Sequence, residues 1–134
     1  MVEMAYRDLK LERIVEVIEK TLLMDERITL ALIFGSTLRR TKVMDIDLTV
    51  YATPQLNMRE SLILASRLEE RVGFPIDLSP LTELPPCMRY KAMSKGLKVV
   101  LKDKKIFNEI LTSAFSQCQD LNLLLIHCSK SKKL

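Results

Sequence analysis

The chain has 134 residues, 48% hydrophobic and 28% charged, which suits one domain with a core of its own. This composition excludes a disordered tail, a collagen-like fibre and a disulfide-dense miniprotein. The net charge is +4, yet with Lys130, Lys132 and Lys133 set aside only 18 basic residues face 17 acidic ones. The body therefore lacks the basic stripe of a duplex-DNA binder, and direct duplex binding is not expected.

The beginning of the chain has no apolar run of the signal-peptide kind. Leu121 to Ile126 is interrupted by Asn122 and is too short to span a bilayer, so no membrane partner is expected. Cys87, Cys118 and Cys128 are odd in number and show no CxxC spacing. They read as small apolar residues rather than a disulfide framework or a zinc site, which favours a reducing, cytoplasmic location. His127 has no partner at ligand spacing and reads as a surface residue.

From about Leu9 to Met24, apolar residues recur at three-to-four spacing (Leu11, Ile14, Val15, Ile18, Leu22) with charges between them, which predicts an amphipathic helix. Ile28 to Phe34 is a short, β-branched apolar run stopped by Gly35-Ser36, the pattern of a buried strand. Ile46 to Tyr51 alternates: Ile46, Leu48 and Val50 face one side, and Asp45, Asp47 and Thr49 the other. Asn57 caps a helix from Met58 to Arg71, with Glu60 completing a capping box and Gly73 as C-terminal cap.

Phe74 to Leu78 predicts a short strand holding Asp77, and Cys87 to Ser94 a short helix. Leu97 to Leu101 predicts the last strand. A terminal helix then runs from Lys102 to about Asp120, extended by Leu121 to His127. The connection between the first two strands is too short for a helical crossover and suits a hairpin-like pairing. The expected fold is α+β: a single domain over 1–134 with one mixed sheet covered on one face by helices. Residues 121–134 read as a C-terminal docking tail.

The chemistry concentrates between Leu32 and Val50. A buried strand runs into Gly35-Ser36, and the next strand opens with Asp45-x-Asp47. Gly35 permits a tight turn and close approach to a ligand. Amides at such a turn, with the Ser36 hydroxyl, suit phosphate oxygens. Two carboxylates side by side repel each other, and a hard divalent cation removes the conflict. Asp77 on an adjacent strand would complete a three-acid site.

These residues resemble the nucleotidyltransferase superfamily that includes DNA polymerase beta, and within it the small minimal nucleotidyltransferases. The matching pieces are Gly35-Ser36, Asp45-x-Asp47 and the later strand acid Asp77. The resemblance spans roughly residues 10 to 115 and includes Lys95 to Leu101 with the charged helix after it. The arm of eight residues between Ser36 and Asp45 is shorter than the family's usual one, and Met44 stands where a Ser is common.

The resemblance implies transfer of a nucleoside monophosphate, most simply AMP from ATP or another NTP, to a hydroxyl acceptor. Asp45, Asp47 and Asp77 would be catalytic and hold two Mg²⁺ ions, with Mn²⁺ as the alternative metal. Gly35, Ser36, Arg39 and Lys42 would bind the nucleotide, with Arg40 beside them. Relatives of this size pair with a helical HEPN-domain toxin, which implies an antitoxin that modifies that partner. A chain this short borrows its acceptor site from a partner or from a second copy in a homo-oligomer. The shortened arm favours an alternative, a non-catalytic module that neutralises a toxin by contact.

Overall fold

Ile14, Ile18 and Leu22 form one buried stripe along the first helix, α1 (Val2–Leu22), at the three-to-four spacing seen in the sequence. The computed structural model describes the backbone of residues 2–35 and 45–132 and the side chains of 11–35 and 45–126. After α1 come two strands, β1 (Ile28–Phe34) and β2 (Ile46–Ala52), then α2 (Met58–Val72) and β3 (Ile76–Pro80). A short 3-10 turn (Leu81–Glu83), α3 (Pro86–Lys95), β4 (Leu97–Leu101) and α4 (Lys104–Lys132) complete the chain.

The strands form one sheet in the order β3-β2-β1-β4. β1 and β2 pair antiparallel, as their short connection requires, and β1 pairs antiparallel with β4. β2 and β3 pair parallel because α2 carries the chain back between them. The sheet is mixed, and the class is α+β.

Strand alternation sends side chains to two separate cores. On one face Ala31, Ile33, Ile46, Leu48, Val50 and Ile76 meet Ile14, Ile18 and Leu22 of α1 and Leu64 and Leu68 of α2. On the other face Leu30 and Leu32 of β1 meet Leu84, Ala92 and Met93 around α3 and Phe107 of α4. Cover on one face is as expected; α3 and the first half of α4 add partial cover on the second. That second cover centres on β1 and reaches β2 at Tyr51 and the end of β3 at Leu81. Each fully buried aliphatic side chain, Ile18 and Leu68 among them, contributes about 1.5–3 kcal/mol relative to exposure.

α2 begins as its sequence dictates. The Glu60 backbone N–H donates to Asn57 Oδ1 at 2.8 Å, and the Asn57 N–H donates to Glu60 Oε1 at 3.1 Å. Gly73 closes the helix in the left-handed conformation, φ +83°.

The cysteine reading needs correction. Cys87 and Cys118 form a disulfide, with Cα atoms 4.7 Å apart and a sequence separation of 31. α3 and α4 run antiparallel, so Cys87 meets Cys118, Arg89 meets Gln117 and Tyr90 meets Phe115. Spacing along the chain says nothing about cysteines brought together by packing of two helices. The argument for a reducing compartment, which rested on unpaired cysteines, falls with it. No helix among the described residues is long and apolar enough to cross a membrane.

Candidate active site

Asp47 is the second residue of β2, and its Cα partner across the parallel ladder is Asp77, the second residue of β3. In-register residues on neighbouring parallel strands project to the same face. The two carboxylates therefore lie on the same face of the sheet, side by side on neighbouring strands. Asp47 is half-buried, and Asp77 on the edge strand is exposed.

Several interactions hold this register. The Ile46 N–H donates to the Pro75 carbonyl at 2.9 Å, just before the acid pair. Two residues further along, the buried Thr49 donates its hydroxyl to the Ser79 carbonyl at 2.9 Å. The Ile76 N–H, next to Asp77, donates to Glu69 Oε1 of α2 at 2.9 Å. Thr49 and Glu69 are positioning residues that were not singled out from the sequence. The alternation placed Thr49 on the acid face, but its acceptor depends on the β2–β3 register, which the sequence does not display.

Gly35 supplies the third side. It follows Phe34, whose partner on β2 is Asp47, and its φ is +71°. A Cβ at Gly35 would lie 2.6 Å from Asp47 Oδ2, so the Asp47 carboxylate occupies the space that any side chain there would need. Both the left-handed backbone and this close approach select glycine.

Asp45 is exposed at the bend before β2 and is not part of the strand ladder. Among the described residues no group of three or more His, Cys, Asp or Glu side chains is gathered to hold a metal ion. The structure sets Asp47 and Asp77 side by side in the ladder and places Asp45 outside it. Ser36, Arg39, Arg40 and Lys42, expected to grip the nucleotide, lie outside the described residues.

The donor chemistry of the pair suits a hard divalent cation. Mg²⁺ takes one or two carboxylates and completes its shell with water and substrate phosphates. Asp47 and Asp77, beside the glycine turn, are the side chains that could contribute to such a shell.

A mixed sheet with an acid pair at the mouth of β2 and β3, next to a glycine turn after β1, defines a nucleotidyltransferase-type domain. The family model described as "Polymerase beta, Nucleotidyltransferase" matches residues 16–105, and the chain belongs to that family. The sequence matches no curated protein.

Solved structures share the fold. A chain of a toxin-antitoxin crystallised with AMP-PNP superposes with a TM-score of 0.75 at 20% identity, covering 90% of this chain and 98% of that one. A chain from the complex of a tri-AMPylated Shewanella oneidensis HEPN toxin with its MNT antitoxin gives a TM-score of 0.68 at 17% identity, covering 96% and 99%. A chain of the MntA-HepT toxin-antitoxin gives 0.67 at 16% identity, covering 95% and 99%.

Proposed function

We propose that this chain transfers AMP from ATP to a hydroxyl group of a HEPN-type toxin partner, acting as its antitoxin. The observation that carries this reading is the in-register pairing of Asp47 with Asp77 beside the tight approach of Gly35. Family membership supports nucleotidyl transfer. The likeness to chains from complexes that hold AMP-PNP or an AMPylated HEPN toxin supports the choice of nucleotide and partner.

In the reaction the acceptor oxygen attacks the α-phosphorus of ATP. The bond from that phosphorus to the bridging oxygen breaks, and pyrophosphate leaves with the bond's electron pair. The acceptor's proton passes to the Asp77 carboxylate, which is solvent-exposed and can release it to water. The turn at Gly35 would let backbone approach the phosphates without a side chain in the way, and Ser36, Arg39 and Lys42 are the residues assigned to the triphosphate.

Asp47 and Asp77 would hold Mg²⁺, or Mn²⁺, and Asp45 would complete the set for a second ion. The bound metal would neutralise triphosphate charge and lower the pKa of the acceptor hydroxyl. Positioning and charge neutralisation supply most of the rate in transfers of this kind. A reaction that consumes ATP suits the cytoplasm.

The test is incubation of the full chain with α-labelled ATP, Mg²⁺ and a co-encoded HEPN protein. Label on the HEPN protein, lost in Asp47→Asn, is the expected result. A folded protein that labels no partner under these conditions overturns the enzymatic reading. A second reading, neutralisation by contact alone, draws on the position of Asp45 outside a three-acid cluster. It predicts that toxin neutralisation survives the combined substitution of Asp45 and Asp47 by Asn.

A further inference from the structure

α4 divides at Cys118. Before it, Phe107 and Ala114 are buried, Leu111 packs on the second core, and Cys118 is tied to Cys87 of α3. Beyond it, every side chain from 119 to 126 is exposed, while the helix continues to Lys132. At 1.5 Å per residue the free part extends about 20 Å from the body.

This free part is apolar on more than one side. Leu121, Leu123, Leu124, Leu125 and Ile126 are 41–66% exposed. At 100° per residue, Leu121, Leu124 and Leu125 share one side of the helix, and Leu123 and Ile126 take the opposite one. A surface helix shows one apolar stripe, and a helix apolar all round belongs in an interior. Contiguous exposure on this scale marks an interaction surface.

We propose that residues 119–132 are the docking element of this chain, inserted into an apolar groove between at least two helices of a partner protein and rimmed by carboxylates. Two observations select this occupant over a second copy. One facing helix covers one stripe and leaves the other side in water, so a two-helix self-pair does not satisfy both Leu124 and Ile126. Charge also decides: residues 121–134 contain no acid, and Lys130, Lys132 and Lys133 follow the apolar run. A parallel self-pair sets lysines against lysines. An antiparallel pair can offer only the single acid of the element, Asp120, against the three lysines of the facing copy, so positive charge is left over in that orientation too. The countercharge must come from a different protein.

This inference rests on the reading of the chain as partner of a HEPN-type helical protein, and it assigns the surface that partner holds. The test is calorimetric titration of the full chain with the co-encoded HEPN protein, together with light scattering of each sample. Leu124→Glu combined with Leu125→Glu is expected to weaken binding about 100-fold, with the melting temperature and ATP affinity unchanged. Leu123→Ser with Ile126→Ser is expected to weaken it about 10-fold, because the opposite side is also covered. Lys130→Glu with Lys132→Glu is expected to weaken it at low salt, with the difference shrinking as salt rises.

Wild-type affinity in the Leu124/Leu125 variant overturns the docking assignment and leaves the proposed enzyme intact. Failure of the wild-type chain to bind any co-encoded HEPN protein overturns both. A wild-type dimer that the same variant dissociates makes a second copy the occupant instead. Binding to phosphatidylglycerol vesicles that the variant abolishes makes a lipid surface the occupant, and each of these outcomes overturns the proposal.

Discussion

Asp47 and Asp77 stand side by side as Cα partners across the parallel ladder between β2 and β3. Like charges placed directly across strands destabilise a sheet. A cation held between the two carboxylates would offset that repulsion. Asp47→Asn and Asp77→Asn are each expected to lower transfer by about 10³-fold. Added Mg²⁺ should raise the wild-type melting temperature by mass action and leave both variants unmoved. Thermal scans with and without Mg²⁺ read this directly.

The two left-handed glycines separate site from scaffold. Gly35→Ala places a methyl against Asp47 Oδ2, whereas Gly73→Ala meets nothing within 4 Å. Both carry the left-handed penalty of about 1–2 kcal/mol. Gly35→Ala should in addition reduce transfer about 100-fold by displacing the carboxylate. Gly73→Ala should lose stability with activity retained below its melting temperature. Parallel activity and denaturant measurements on the two variants distinguish them.

The capping box at α2 offers a purely structural test. Asn57→Ala removes the acceptor of the Glu60 N–H and should cost about 1 kcal/mol, a fall of about 3–5 °C in melting temperature for a domain of this size. Transfer activity at 25 °C should be unaffected, since the cap lies at the far end of α2 from Glu69, whose carboxylate holds the start of β3.

Arg27 sets an acid dependence at the opposite end of β1 from Gly35. Its hydrogen bonds to Asp25, at 3.2 Å from Nε and 3.0 Å from Nη2, hold that carboxyl below the usual range. Glu60 is held down first by the Asn57 N–H and then by Arg27. Each depressed carboxylate binds more protons unfolded than folded, so its contribution is complete above the ordinary carboxylate pKa of about 4 and is lost as pH falls through the lowered value. Arg27→Ala should melt lower than the wild type at pH 7. The gap should close as pH drops below about 4, and a melting series from pH 7 to pH 2.5 checks it.

The local order of this protein was legible in its residues. Ile28 to Phe34 and Leu97 to Leu101 are strands over the expected ranges, and Asn57 and Gly73 bound α2 as their side chain and backbone chemistry require. β3 lies two residues later than its hydrophobic run implied, at Ile76–Pro80, because pairing with β2 rather than apolarity sets where it starts and stops. The candidate site was legible in part. Gly35, Asp47 and Asp77 stood out by type and position, whereas Thr49 and Glu69, which hold the register, carried no mark of their own.

Periods of 3.6 and 2 are properties of neighbouring residues, so the sequence alone determined the helices, the strands, the mixed sheet and the glycine turn before the Asp-x-Asp strand. Only the tertiary structure decided which strand lies beside β2, that Asp77 pairs with Asp47 while Asp45 stays outside the ladder, and that Cys87 finds Cys118 across two packed helices. Those relationships join residues some 30 positions apart. They arise from how buried faces fit together, and no local pattern encodes the partner of a strand or a cysteine.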